Sequence, residues 1–340
     1  MGIGIPNVHE AWTWYRNNFS MNIPVFEEAA TADLMLPYTG GKPHDRHAVL
    51  ALNMQGGGGF EIWQYTSRKP QPASFKLILG DLGINICKMK TIDIQSTFNN
   101  FDKTYLLSKT IQKDPSGARH FFVKDPYGNP FQVIESDNWY SKNSNDTGGV
   151  YGAIIGVSNL EKSIEFYSTI LGYDTIEWQG EGNFNDFTSL NPSKHQFKRA
   201  ILSHSKDRKG SFSQLLGKSQ IELVQNTDKK GRPIYQDRFW GDLGFIHLCF
   251  DVIGMETLQK ECEQAGHPFT VNSANSFDMG EAAGHFSYIE DPDGTLIEFV
   301  ETHKIPILKK IGWYLDIRKR DALKPLPRWM IKSLGLNKKK

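Results

Sequence analysis

Tyr288-Ile-Glu-Asp-Pro-Asp-Gly-Thr-Leu-Ile-Glu298 reads as a β-hairpin. Within it, Asp291-Pro-Asp-Gly294 is a turn signal, because Pro presets φ and Gly takes φ > 0 without steric cost, and apolar residues flank it on both sides. In the strand that follows, side chains alternate, so Leu296, Glu298 and Val300 share one face and Ile297 and Phe299 the other. A carboxylate set between Leu296 and Val300 on an expected buried face must be paired, protonated or bound to a metal, since an isolated buried charge is very costly.

Working outward, the chain repeats itself. Glu61-Ile-Trp-Gln-Tyr-Thr-Ser-Arg-Lys69 matches Glu222-Leu-Val-Gln-Asn-Thr-Asp-Lys-Lys230, Gly80-Asp-Leu-Gly83 matches Gly241-Asp-Leu-Gly244, and Asp125-Pro-Tyr-Gly128 matches Asp291-Pro-Asp-Gly294. The order is kept and the offsets are 161, 161 and 166 residues, which marks a tandem duplication. Each half divides again. Asn7 caps a helical stretch carrying Val8, Trp12, Tyr15 and Phe19, and Ser158-Asn159 leads into one carrying Leu160, Ile164, Tyr167 and Leu171, closed by Gly172. Further helices are expected near Asp93 to Asp102 and Met255 to Ala265, each followed by short strands and turns. The pattern is βαβββ, four times, and the fold class is α+β.

The 340 residues, 39% apolar and 23% charged, suit a globular chain with a substantial core. Cys87, Cys249 and Cys262 show no C-x-x-C spacing, which speaks against a disulfide framework or a thiolate zinc site and for buried thiols. The net charge of +1 conceals 12 Lys and Arg against two acids from Lys304 onward, so the tail carries +10 and the rest 1 − 10 = −9. An acidic body argues against nucleic acid as a partner. No apolar run reaches membrane-spanning length and no secretory signal pattern opens the chain, so a cytoplasmic location is the expectation. The runs Gly56–Gly59 and Gly180-Glu-Gly182 lack the Lys-Ser/Thr of a phosphate-binding loop and read as mobile loops.

Gly152-Ala-Ile-Ile-Gly-Val-Ser-Asn-Leu160 with its helix, Ile221-Glu-Leu223, Phe245-Ile-His-Leu248 and Asp291–Glu298 together resemble the vicinal-oxygen-chelate superfamily of glyoxalases, epimerases, antibiotic-resistance proteins and extradiol dioxygenases. The resemblance covers about residues 1 to 303 and implies two open barrels, one per half. The expected domains are 1–138, a module with a degenerate site; 139–149, a linker; 150–303, a module with a candidate metal site; and 304–340, a basic amphipathic tail. Carried over by position, Glu222, His247 and Glu298 are the expected metal ligands, with Gly152 where a His commonly stands. Alternation places His247 on the face of Phe245 and Cys249. Two carboxylates and an imidazole suit a divalent Fe, Mn, Ni, Co or Zn ion. The first module offers Glu61, Asn85 and Gln132, where amides replace charged or basic ligands, and pairing with a basic residue is the expectation for Glu61.

Tyr288 and His285 are further catalytic candidates: Tyr288-x-x-Asp-Pro-x-Gly-x-x-x-Glu298 resembles the extradiol dioxygenase pattern, which implies a Tyr in contact with substrate oxygen, and His285 could serve as an acid or base. The bland alternative is that Glu222 faces a Lys or Arg, His247 is a satisfied core histidine, Tyr288 is packed and Glu298 is solvated. His195 and His204 are expected at the surface. The resemblance implies a metal-dependent isomerase or lyase of glyoxalase or epimerase type, acting on a small molecule through vicinal oxygens, with Glu222 or Glu298 releasing the metal to act as catalytic base. An extradiol dioxygenase and a non-catalytic ligand-binding protein are the alternatives, and a homodimer is a further expectation. In the tail, Ile307, Leu308, Ile311, Tyr314 and Leu315 predict one helix and Met330, Ile331 and Leu334 a second. Packing of these helices on the acidic body, between barrels or against a second subunit is the first expectation, and a peripheral anchor on anionic membrane, with Trp313 and Trp329 at the interface, is the alternative.

Overall fold

In a computed structural model, residues 1–143, 145–190, 194–274, 277–278, 283–308 and 312–339 are described, of residues 277, 278, 283 and 306–308 the backbone only. Four βαβββ units follow one another, as the repeat requires. Their helices include Val8–Phe19, Ile94–Asn100, Leu160–Thr169 and Met255–Gln264. Asn7, Asp93 and Asn159 cap the first three by accepting from backbone N–H groups.

The sheets do not follow the two halves. One contains strands Gly2–Gly4 through Phe60–Tyr65 of the first unit and Gly244–Asp251 through Leu296–Leu308 of the fourth. The other contains Gly83–Thr91 through Pro130–Glu135 of the second unit and Thr147–Gly156 through Gln220–Asn226 of the third. In each, first strands of two units meet antiparallel: Ile3 opposite Phe245, and Ile84 opposite Ile155. The expected barrel per half, 1–138 and 150–303, is therefore replaced by an outer pairing of first and fourth units and an inner pairing of second and third.

Period-two alternation divides the core accordingly. One face of each sheet, with Ile3, Ile62, Phe245, Ile297 and Phe299 from the outer and Cys87, Phe131, Ala153 and Leu223 from the inner, shares a single apolar core with the helices. The opposite faces carry separate clusters, Trp63, Tyr65, Trp240, Ile246 and Tyr288 in the outer sheet and Ile86, Phe122, Ile154, Phe197 and Val224 in the inner. The halves are still tied across the helices. Tyr15 donates to Asp125 (2.7 Å) and Tyr167 to Asp291 (3.1 Å), so a helix of one unit grips the Asp-Pro-x-Gly turn of the next. The same Asp291 accepts from the N–H groups of Asp293 and Thr295, while Gly294 takes φ 83°, which forms the hairpin as expected.

Several local expectations are corrected. Thr147–Gly149, assigned to the linker, open strand Thr147–Gly156. The Gly56–Gly59 run is no mobile loop: Gly57 donates to Leu215 and Gly58 to Val150, and a Cβ at Gly57 would come within 2.9 Å of the Gly149 and Val150 backbone. Gly180–Gly182 ends strand Thr175–Gly182. The first tail helix is instead a β-hairpin, because strand Leu296–Leu308 continues its ladder and pairs with Trp313–Asp316, Gly312 supplying a φ of 67°. The side chains of Ile307, Leu308 and Ile311 lie outside the described residues. The second tail helix is observed at Arg328–Ser333, with Met330 and Ile331 packed towards Tyr140, Leu215 and Leu326.

This pairing predicts that residues 1–138 expressed alone form no stable monomer, because Gly2–Gly4 and Phe60–Tyr65 lose their sheet partners. Co-expression with 139–340 is expected to restore a one-to-one complex with native circular dichroism, measured after size exclusion.

Candidate metal centre

Three side chains converge on the face of the outer sheet that points away from the helices. Glu61 stands on strand Phe60–Tyr65, His247 on Gly244–Asp251 and Glu298 on Leu296–Leu308. His247 Nε2 lies 3.2 Å from Glu298 Oε2 and 3.3 Å from Glu61 Oε2. One donor atom from each lies within 4.8 Å of the other two. The imidazole is fully buried, and neither ring nitrogen has a hydrogen bond of good geometry among the described residues. Metal bonds of about 2.0–2.2 Å place neighbouring donors roughly 3 Å or more apart, so the spacing, the donor types and the orphaned imidazole all fit a divalent ion.

A bulge aims the histidine. Gly2 lies opposite His247 while Ile3 lies opposite Phe245, so Ile246 is the extra residue. Phe245 accordingly joins the shared core and His247 the other face, against the expectation that the two share a face. Gly2 makes room for the ring: a Cβ there would come within 2.3 Å of His247 Cε1. Trp240 lies parallel to the imidazole at 6.3 Å, and Tyr288 meets it edge-on at 5.5 Å. The Tyr288 hydroxyl donates to Glu298 Oε1 at 2.8 Å.

Burial alone would lower the His247 pKa, but Glu298 and then Glu61 lift it to about 9. Burial opposes ionisation of Glu298, which His247 and the Tyr288 hydroxyl outweigh, holding that carboxyl below its usual range. Cys249, expected to be buried, is exposed beside Glu298, and close packing together with that carboxylate pushes its thiol up.

Glu222 does not join this group. It is fully buried in the inner sheet, with Oε1 2.6 Å from Arg199 Nε and Oε2 2.5 Å from Lys88 Nζ. Burial raises its pKa, and Arg199 and Lys88 more than reverse that. Arg199 also pairs with Asp186 at 2.8 Å, and its guanidinium lies over Phe187. The bland reading is therefore right for Glu222, and Glu61, expected to face a basic residue, takes its place at the triad.

Strand register gives the counterparts in the inner sheet. Ile86 stands opposite Ile154 as His247 stands opposite Gly2, while Lys88 and Phe122 flank Gln132 as Cys249 and Tyr288 flank Glu298. Asn85, matched to His247 in sequence, is the bulge residue and binds the backbone of Gly80, Asp81 and Gly83. His285 is directed elsewhere: three residues from Tyr288, it contacts Asn272 Oδ1 at 2.6 Å. His204 is half-buried against Tyr173 rather than a surface residue.

Residues 151–299 match the family model of the Glyoxalase/Bleomycin resistance protein/Dioxygenase superfamily. Over 88% of its length the chain superposes on a point mutant of glyoxalase I from Zea mays, covering 91% of that chain with TM-score 0.52 and 14% identity. It superposes equally on a protein from Bacillus subtilis provisionally described as a dioxygenase, covering 84% of that chain with TM-score 0.54 and 13% identity. No curated protein matches in sequence. The family match is thus carried by residues 151–299, and over most of its length the chain shares the fold of these two solved structures.

Replacing Glu222 by Gln is expected to destabilise the chain by about 3–5 kcal/mol, because Lys88 and Arg199 lose a buried counter-charge. Since the folded pKa of Glu222 lies below its ordinary 4.5, that contribution is full above 4.5 and lost as pH falls through the depressed value. Urea unfolding of both proteins from pH 7 to pH 3 checks this, with the difference shrinking towards acid.

Proposed function

We propose that the outer barrel is a divalent-metal centre of glyoxalase or epimerase type, an isomerase or lyase acting on a small substrate with two vicinal oxygens. The observation that supports it most is the convergence of Glu61 and Glu298, from strands of two different units, on a buried His247 imidazole that has no hydrogen bond of good geometry among the described residues. These three would hold an Mn, Fe, Co, Ni or Zn ion, leaving positions for substrate. When bound, such an ion supplies Lewis-acid stabilisation of negative charge developing on substrate oxygen.

The chain supplies the proton chemistry. Tyr288 fixes Glu298 as a charged acceptor through its 2.8 Å hydrogen bond. Glu61 is held less, its carboxylate meeting His247 at 3.3 Å with no hydrogen bond to another side chain among the described residues. It is therefore the group that turns to take a proton from the carbon beside the substrate oxygens and to return it. Trp63, Trp240 and Ile246 wall the site and limit water. Ring cleavage of a catechol is the lesser reading, since its iron set uses two imidazoles and this cluster has one.

Glu61→Gln is expected to lower turnover by at least about 100-fold with the fold intact, the size of a lost general base. His247→Ala is expected to lose the ion itself. Isomerisation of hemithioacetals and of 2-substituted acyl thioesters, assayed with Mn, Ni, Zn and Fe(II) on chelator-treated protein, measures the first, and elemental analysis the second. Equal activity in Glu61→Gln overturns the assigned base. Because binding displaces the His247 proton, metal affinity is expected to rise as pH goes from 6.5 to about 9.

We place the protein in the cytoplasm, with its tail touching anionic membrane. Trp313 and Trp329 are 46% and 57% exposed among basic residues, which supports the contact. Among the described residues no helix is long and apolar enough to cross a membrane. Cosedimentation with phosphatidylserine vesicles is expected for the full chain and reduced when both tryptophans become Ala; a full chain left in the supernatant removes the idea.

A further inference from the structure

On the opposite face of the outer sheet, near its edge, stand His9, Glu27 and His47. Glu27 and His47 follow and precede Phe26 and Ala48, which pack in the cluster around Trp63, so alternation turns Glu27 and His47 to the helix side, away from the barrel triad. His9 reaches them from the first turn of helix Val8–Phe19. Its backbone is pinned there, because Asn7 accepts from the His9 N–H (3.1 Å) and Gln64, paired across the sheet with His47, accepts from the Val8 N–H (2.8 Å).

His9 Nδ1 lies 3.7 Å and His47 Nε2 3.8 Å from the same oxygen, Glu27 Oε1, and the two rings meet edge-on at 5.1 Å. One donor atom from each residue lies within 4.8 Å of the others. These distances are longer than hydrogen bonds. His47 Nε2 is shielded from solvent yet has no hydrogen-bond partner among the described residues, and it points at the carboxylate. A basic residue would satisfy the glutamate and a donor or acceptor the histidine; Arg46, the neighbouring cation, is committed to Glu28 at 2.7 Å.

We propose that His9, Glu27 and His47 form a second divalent-cation site, distinct from the barrel centre. Two imidazoles and one carboxylate select late first-row ions such as Ni²⁺, Cu²⁺ and Zn²⁺ over Mg²⁺ and Ca²⁺. Bonds of about 2.0–2.2 Å require the three donors to close in slightly from their present spacing, which partly exposed side chains can do by small rotations. Solvent completes the coordination. Since the ligands come from the first helix and from strands Ile23–Thr31 and Asp45–Leu52, an ion there ties the helix start to the sheet edge. The site is thus a structural staple, with no substrate chemistry attached.

The test uses the full chain carrying His247→Ala, which disables the barrel centre and so separates this inference from the function proposed above. After chelator treatment, isothermal titration with Zn²⁺ is expected to give one ion per chain and a rise in melting temperature. Adding His9→Ala and His47→Ala is expected to abolish both while leaving the circular dichroism unchanged. As a second readout, Cu²⁺ bound to the His247→Ala chain should show electron-paramagnetic hyperfine structure from two nitrogens. A His247→Ala chain that binds no Zn²⁺, or a triple variant that binds as much as the single one, overturns the proposal.

Discussion

The ladder between Gly2–Gly4 and Gly244–Asp251 is the constraint on which the rest depends. It joins the two ends of the chain into one sheet and leaves the middle units to build the other. Its bulge at Ile246 is a small departure with a large effect, since it sends Phe245 into the shared core and His247 to the opposite face. The missing side chain of Gly2 then gives the imidazole the room it occupies. Backbone register, more than any single contact, places the histidine between two carboxylates contributed by different units.

The inner sheet has the same architecture and a different solution to the same electrostatic problem. A carboxylate facing the interior needs a cation. In the inner sheet the side chains of Lys88 and Arg199 provide it for Glu222, with Gln132 and Phe122 standing where Glu298 and Tyr288 stand in the outer one. Such an arrangement is self-neutralising and leaves no call for an external ion. In the outer sheet, the group beside Glu61 and Glu298 that can carry positive charge, among the described residues, is the His247 imidazole, whose protonation can neutralise one of the two. A residual negative charge next to unsatisfied nitrogen is the condition under which a divalent ion is preferred to a proton.

Interlocking explains how both sheets remain together. The turns at Asp125 and Asp291 are gripped by Tyr15 and Tyr167 from helices of the preceding units, whereas the sheets pair first unit with fourth and second with third. First and second units, and third and fourth, are thus joined through helices, while first and fourth, and second and third, are joined through strands. Loss of either set leaves apolar surface of the single shared core open to water.

Much of this was legible in the residues. The duplicated motifs, the capping residues Asn7, Asp93 and Asn159, the hairpin at Asp291–Gly294 and the facing of Glu298 are local properties, fixed by turn chemistry and by a strand period of two. Sequence also singled out His247, Glu298 and Tyr288, but it chose Glu222 as the third ligand and set Glu61 against a basic residue, the reverse of what the structure shows. It could not tell which of those two glutamates would meet the histidine, because the repeat makes them equivalent and the choice lies in which units share a sheet. Nor could alternation foresee the bulge at Ile246, the cations gathered around Glu222, or the strand that replaced the first tail helix. Those depend on pairing between segments as far apart in the chain as Gly2 and His247, an energy that exists only once the tertiary structure has brought them together.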